Sequence, residues 1–278
     1  RTNKMRSFLT MLGIIIGISS VIAITSIGAS ARGVVSKEFQ SFGMNNMYIY
    51  INWHMLEDGI IEYSDLIFPE DIEVLQARFP EDILYVAPAL SGTSETKVGR
   101  VTGKLAMQGV AADYNKFYNM NIIHGRMINQ SDVHGVRDRI VIDKEAANHF
   151  FNTDNAVGKI LSVTINDEVR DLTIVGVYQE DPSIFDRMST NDSYSTYIPY
   201  PLLQLSDDAT SYIELYTNNK KDQSVIGNEI AQYLSRIKGK DPEFYKFESA
   251  EVQMDMINNI LGILSIAIGA IAAISLVV

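Results

Sequence analysis

Four histidines, His54, His124, His134 and His149, are the first residues to test for metal chemistry. None lies at HxxH or HExxH spacing, so no two imidazoles are placed to share a zinc ion from one helix face. Polar surface or satisfied loop positions account for them. The acidic pairs Glu57-Asp58, Glu180-Asp181 and Asp207-Asp208 offer oxygen donors for calcium. No EF-hand loop frames them, and solvated loop charge is the simpler reading. The chain has no Cys, which excludes thiol catalysis, disulfides and Cys-based zinc sites. No GxSxG or nucleophile–base pattern occurs. A phosphate-cradling GxxxxGK[ST] loop is absent too. Its nearest fragment, Gly158-Lys159, is followed by Ile160, and Thr153 stands where the first Gly should be. Catalytic, cofactor and metal residues are therefore expected to be none. Trp53, Tyr48 and Tyr50 lie in an alternating stretch and read as core side chains more readily than as a ligand box.

What the chain offers instead is an uneven distribution of charge. Over 278 residues it is 46% hydrophobic with a formal net charge of −11, and its mean hydropathy is +0.03. That average hides two uncharged segments, Ser7–Ala31 and Met256–Val278. Each is long enough to cross a hydrocarbon core of about 30 Å as a helix of roughly 20 apolar residues. All 34 acidic residues lie between them, with 20 of the 23 Lys and Arg, so the middle part carries a net −14. This balance argues against nucleic-acid binding, which needs a basic footprint. The remaining cations, Arg1, Lys4 and Arg6, precede the first apolar segment. The positive-inside rule puts them in the cytoplasm and the middle part outside. The chain starts with Arg1 and stops within an apolar run, so it reads as part of a longer protein.

Small residues recur on one face of each apolar segment: Gly13 and Gly17 in the first, Ser265, Gly269 and Ala273 in the second. In lipid, such faces let helix backbones approach closely, so these residues are expected to pack transmembrane helices.

Between the segments, two strand–helix–strand units can be read. In the first, Met47–Trp53 is a strand, Pro69 opens a helix with Glu70 and Asp71 in its first turn, and Pro80 stops it. Ile72, Leu75 and Phe79 form that helix's buried stripe, and Ile83–Leu90 is the next strand. In the second, Ser211–Thr217 alternates as a strand and Asp222 caps a helix. The face of that helix carries Val225, Ile226, Ile230, Tyr233, Leu234 and Ile237. Gly239 ends it, and Phe244–Phe247 resumes as a strand. The units flank an insertion with short helices near Asp113–Tyr118 and Asp143–Phe151. Strands at Ile160–Ile165 and Asp171–Tyr178 join through Asn166-Asp167, and Asp181–Ser193 reads as a polar loop. The expected fold class is an α+β domain with a split sheet, flanked by transmembrane α-helices.

The opening stretch Asn3–Ile18 (NKMRSFLTMLGIIIGI) resembles the start of permeases in the MacB/FtsX group of ABC transporters. His124-Gly125-Arg126 followed by Asp132, then Val157-Gly158-Lys159-Ile160, Ile174-Val175-Gly176-Val177 and Tyr197-Ile198-Pro199, resemble that family's later motifs in order and spacing. Gly125, Arg126, Asp132, Gly158, Gly176 and Pro199 are thereby marked as family turns. The resemblance implies a cytoplasmic flank (1–6), a first transmembrane helix (7–31), an extracytoplasmic domain (32–255) and a truncated second helix (256–278). The domain would have a porter-like part (45–111 and 206–252) and a smaller inserted α/β subdomain (112–205). The resemblance further implies a homodimer and an ATP-binding protein or domain that holds ATP and Mg. It also implies a membrane fusion (adaptor) protein, and export of a peptide, toxin or drug. Helices 3 and 4 of such a permease are absent from the chain. Two other readings stay open: a two-helix membrane sensor, and an FtsX-like regulator of cell-wall hydrolases or a lipoprotein-extracting permease.

Overall fold

The computed structural model describes residues 2–41, 45–118, 120–179, 193–204, 209–218 and 220–277. Arg1, the pairs Glu180-Asp181 and Asp207-Asp208, and nearly all of the polar loop at 181–193 lie outside the described residues. So do the side chains of Lys4, Arg6, Ser265, Gly269 and Ala273. The chain divides into two units, Arg1–Ser41 with Glu251–Val278, and Phe42–Ala250.

The first unit is helical. Helix α1 spans Thr2–Ser41. Within it, Ser7–Ser30 is a 24-residue stretch of mean hydropathy 2.3 with none of it buried. At 1.5 Å per residue it reaches about 36 Å, more than a hydrocarbon core requires. Its two threonine hydroxyls bond back to its own carbonyls: Thr25 Oγ1 donates to Val21 O at 2.8 Å and Thr10 Oγ1 to Ser7 O at 3.0 Å. That leaves the outer surface apolar. Among the described residues it is the one helix long and apolar enough to cross a membrane. The second apolar segment falls in the closing helix, α7 in the numbering below.

The second unit holds two sheets. The smaller comprises β1 (Asn46–Ile51), β2 (Ile83–Pro88), β10 (Tyr212–Thr217) and β11 (Tyr245–Ser249), in the order β11-β1-β10-β2. All neighbours run antiparallel. Helix α2 (Pro69–Arg78) links β1 to β2, and α6 (Gln223–Ile237) links β10 to β11. Each link skips one strand, so the two units interleave into the split βαβ arrangement expected from the sequence. Local chemistry sets the helix starts: the Asp71 carboxylate accepts from Phe68 N–H at 2.9 Å, and Asp222 accepts from Ser224 N–H at 2.8 Å. Met47, Ile49 and Ile51 point to one face with Ile213 and Leu215, and pack on Ile72 and Leu75 of α2 and Ile226, Ile230 and Leu234 of α6. Two members of the expected α6 stripe are corrected: Val225 and Ile237 are exposed. They flank the i, i+4, i+8 row that Ile226, Ile230 and Leu234 occupy, beyond the width of one buried stripe.

The larger sheet has the order β3-β4-β9-β6-β8-β5, with β7 also paired to β8. Its strands are β3 (Ser91–Val98), β4 (Val101–Val110), β5 (Asn121–Gly125), β6 (Arg139–Asp143), β7 (Ile160–Ile165), β8 (Glu168–Gln179) and β9 (Ser193–Pro199). Short helices α3 (Tyr114–Phe117) and α4 (Gln130–His134) intervene, and α5 (Lys144–Phe151) follows β6. The β7–β8 turn lies at Asn166 and Asp167, both with positive φ. β7 lies alongside β3: Thr96 Oγ1 donates to Ser162 O at 2.6 Å, and Ser94 Oγ accepts from Thr164 N–H at 2.8 Å. The sheet thus curls around Leu105, Ile140, Ile142, Leu161, Leu172 and Ile198, with Ala146, Ala147 and Phe150 of α5 against this core.

This alters the expected boundary. Ser91–Val110, assigned from the sequence to the porter-like part, hydrogen-bonds through β4 to β9 and belongs to the larger sheet. The inserted part is therefore the bigger of the two by strand number, seven against four. The chain closes with α7 (Ala250–Val277), directly after β11.

Candidate functional site

The described residues bring together no group of three His, Asp or Glu that a metal ion would need. Three of the four histidines have separate local partners. His149 Nε2 lies 2.9 Å from Thr102 O, His134 Nε2 is 2.7 Å from Gln130 Nε2, and His124 is 3.8 Å from Asp154. A surface cleft of about 420 Å³ is lined by Arg78, Asp82, Lys220, Lys221 and Glu229 among others. Its lysines are already paired, Lys221 with Asp82 at 2.9 Å and Lys220 with Glu81 at 4.0 Å. The informative geometry lies in three other places.

The first is where the sheet joins the helices. β1 and β11 are hydrogen-bonded neighbours, with Met47 opposite Ser249. α1 ends five residues before β1, and α7 starts directly after β11. The two helices therefore lead into adjacent strands of one sheet. At the other end of β1, about 20 Å along, the chain runs through three 3₁₀ turns between Trp53 and Asp65. Trp53 sits in the first turn, outside the strand and 61% exposed, so the expectation of a core role for it is corrected. β1 stops at Ile51, and the Asn52 side chain caps the turn by accepting from His54 N–H at 3.3 Å. Ile60 and Tyr63 are exposed beside it in sequence.

The second is the turn at Gly125-Arg126. Arg126 N–H donates to Val175 O at 2.9 Å, which brings this turn onto β8. Gly125 has φ +72°, and a Cβ there would lie 2.2 Å from Val175 O; a Cβ on Gly176 would lie 2.2 Å from Arg126 O. Only two glycines allow the backbones to come this close. The crossing aims Arg126 at Asp132, with Nη1–Oδ2 at 2.5 Å and Nη2–Oδ1 at 3.2 Å. Asp132 is fully buried, and it also accepts from Asn129 N–H at 3.1 Å. Burial pushes its carboxyl up, but the bonds from Arg126 and the Asn129 amide outweigh this and hold it below the usual carboxylate range. Gly158, with φ +85°, donates its N–H to Ile174 O at 2.8 Å on the same strand. Pro199 ends β9. Four of the six motif residues, Gly125, Arg126, Asp132 and Gly176, thus form one tight corner, while Gly158 and Pro199 stand apart from it.

The third place carries no local signal in the sequence. The outer face of the small sheet bears Tyr48, Tyr85, Glu214 and Tyr216, and the inserted part covers it with Tyr114, Phe117, Tyr118 and Val110. Tyr114 and Tyr118 stack with ring centroids 4.0 Å apart, and Tyr85 Oη accepts from Ala111 N–H at 2.9 Å. Glu214 is 2% exposed in this seam. Its Oε1 accepts from Tyr118 Oη at 2.6 Å, Tyr48 Oη at 3.1 Å and Asn46 Nδ2 at 3.4 Å. Its Oε2 meets only Gln108 Nε2, at 3.5 Å. Among the described residues no cation faces it. Burial drives the Glu214 carboxyl above the ordinary glutamate value, and the hydroxyl and amide donors offset this only in part. In the sequence, SYIELYT reads as an alternating strand, with nothing local to say that Glu214 is covered. Only the long-range packing of α3, about a hundred residues earlier, buries it.

The small faces of α1 are open: nothing approaches within 4 Å of a Cβ position at Gly13 or Gly17.

Comparison with known proteins places this geometry. A family model described as the MacB-like periplasmic core domain matches residues 7–233. The macrolide export ATP-binding/permease protein MacB of Bartonella henselae is 30% identical over 281 residues, spanning 99% of this chain and 41% of that relative. The protein of the same name from Escherichia coli O157:H7 is 24% identical over 286 residues, covering 99% and 43%. The chain thus spans about two fifths of the length of these relatives. Among solved structures, the periplasmic region of MacB from Actinobacillus actinomycetemcomitans aligns with a TM-score of 0.60 at 18% identity, covering 81% of this chain and 98% of that one. The extracellular domain of the noncanonic ABC-type transporter YknZ from Gram-positive bacteria aligns with a TM-score of 0.56 at 17% identity, covering 74% and 100%. These two likenesses establish the mixed α+β fold. The chain belongs to the MacB-like periplasmic core domain family, within the MacB/FtsX-like ABC transporter permeases.

Proposed function

We propose that the chain is the core of a permease that carries the effect of cytoplasmic ATP hydrolysis to a domain outside the membrane, and so drives export of a peptide, toxin or drug. The observation that carries this reading is the junction of β1 and β11. In this reading, helices that adjoin hydrogen-bonded neighbouring strands in the chain would pass a relative displacement to one sheet. ATP and Mg²⁺ would be held by an ATP-binding protein or domain; the curated relatives are named as ATP-binding/permease proteins. Arg1, Lys4 and Arg6 would orient the first span with its start in the cytoplasm, and α7 would supply the second.

In this reading two copies pair through the small-residue faces of α1 and α7, at Gly13, Gly17, Ser265, Gly269 and Ala273. The exposed Trp53, Ile60 and Tyr63 give the domain an apolar surface suited to a protein partner, which the reading assigns to a membrane fusion (adaptor) protein.

The 278 residues hold no Cys, and any Cys elsewhere in the full-length permease is first replaced by Ser. A spin label on Trp53→Cys, in the full-length permease reconstituted with its ATP-binding component, reports the distance between protomers. One inter-protomer distance that shifts between nucleotide-free and ATP-bound states is expected. A distance that ATP leaves unchanged, or no pair signal, would contradict the reading.

A further inference from the structure

The seam between the two sheets contains a carboxyl that no cation among the described residues neutralises. Covering Glu214 from water without a cation is unfavourable for the charged form by several kcal/mol. Three of its neighbours, Tyr118, Tyr48 and Asn46, crowd Oε1, whereas Oε2 meets one distant amide group. That asymmetry fits a proton on Oε2. Gln108 can turn its side-chain amide so that its oxygen accepts that proton, which converts a weak 3.5 Å approach into a paired donor and acceptor.

Among the described residues, the titratable groups around Glu214 are these. From β1 the titratable neighbour is Tyr48, and beyond it in the same cross-strand row lies the half-buried Glu248 of β11. From β10 itself come Tyr212 and Tyr216, and from β2 Tyr85. From α3 and the residue after it come Tyr114 and Tyr118, and from β9 Tyr197. Asp113 and Lys116 at α3 pair with each other at 3.0 Å on the surface. Glu248 apart, every titratable group turned toward Glu214 among the described residues is a phenol.

The network also has a direction. Asn46 is the first residue of β1, five residues after α1, and it joins both Glu214 and Tyr118 Oη, which lies 3.1 Å from Asn46 Oδ1. Gln108 belongs to β4 and Tyr118 follows α3, both in the inserted part. One carboxyl thus ties the start of the small sheet to the insertion.

We propose that Glu214 is a protonation-controlled clasp: protonated, it holds the inserted part against the outer face of the small sheet; ionised, it loosens that seam. Opening the seam returns Glu214 to water and to ordinary carboxyl behaviour. The closed state therefore binds the proton more tightly, and raising the pH favours opening. The opening equilibrium rises by up to about tenfold per pH unit above the ordinary glutamate value of about 4.3, and levels off once the closed form is itself ionised.

The test is thiol labelling of the full chain in lipid nanodiscs, with Ala87→Cys as the probe. Ala87 is 1% exposed, in the seam and opposite Glu214, and the chain has no other thiol. Rates are corrected for thiol ionisation with an exposed control Cys. Accessibility of the introduced thiol should rise with pH by roughly tenfold per unit over the window, and Glu214→Gln should abolish the rise. Tyr118→Phe provides a second arm that keeps the carboxyl. Losing the 2.6 Å donor destabilises the ionised form, so the levelling-off should move to higher pH. A pH-independent rate in the Ala87→Cys chain with Glu214 intact, a rise toward acid, or a persistent rise in Glu214→Gln would overturn the clasp. If Glu214→Gln fails to fold, an unmoved profile in Tyr118→Phe would overturn it as well.

Discussion

Among the described residues three carboxyls are buried in the domain, and they are buried in opposite ways. Asp132 faces the Arg126 guanidinium at a corner locked by two glycines, and Asp65 faces Lys240. Glu214 faces phenols and amides in a seam between two sheets. A buried carboxylate with a cation and amide donors stays charged and fixes a corner. One without a cation is held by the proton it carries, so its attachment depends on the medium. The contrast separates a permanent joint inside the larger sheet from a conditional joint between the sheets.

The largest expected effect is at the permanent joint. Gly176→Ala drives a Cβ to 2.2 Å from Arg126 O, a backbone atom that has no room to retreat. A loss of about 3 kcal/mol in chemical denaturation is expected, the upper end for overpacking. A loss under about 1 kcal/mol would mean that the corner is softer than its geometry indicates.

Next comes Asp132→Asn, which keeps the shape and removes the charge. About 2 kcal/mol should be lost at neutral pH, as for hydrogen bonds to a charged group. The sign of the pH dependence follows from the lowered native value. The unfolded chain binds the proton more readily, so this stabilisation is complete above about pH 3.9 and fades as pH falls through the native value. The gap between the two proteins should therefore close in acid.

Glu214→Gln should behave in the opposite sense. Its native carboxyl is raised, so the folded chain binds the proton more readily, and stability declines as pH rises above about 4.3. The amide variant should match the parent within about 1 kcal/mol in acid and gain on it as pH rises, in denaturation at a series of pH values. A gap that closes with rising pH would place a charged, stabilised carboxylate in the seam. Tyr118→Phe should cost about 1 kcal/mol, the ordinary value of one hydrogen bond, and far less than Gly176→Ala.

Much of this arrangement can be read from local signals. Pro69 with Glu70 and Asp71, Asp222 as a cap, and Asn166-Asp167 as a turn each act within a few residues, and each stands where the sequence predicts it. The corner is marked in the sequence only through the resemblance of Gly125-Arg126 followed by Asp132 to a family turn, and its partner Gly176 lies about fifty residues on. Non-local features are less visible. β3 is polar almost throughout, so no apolar alternation in SGTSETKV says which sheet it joins; its partner β4 decides through β9. β5, α4 and β6 are only five residues long, too short for a periodic signal. Trp53 reads as a strand residue because the aromatic run gives no stop before Asn52. Glu214 sits where a strand with one wet face would carry an exposed carboxylate, and it is buried only because a distant helix lies over it.

The contrast between the joints is tested most directly by a single titration. Carbon-13 labelled Asp and Glu side chains in the intact chain, assigned with Asp132→Asn and Glu214→Gln, report each carboxyl's protonation by NMR as the pH is stepped. Asp132 should titrate below the ordinary aspartate value and Glu214 above the ordinary glutamate value in the same sample. A Glu214 resonance that titrates at or below the ordinary value would contradict the conditional joint.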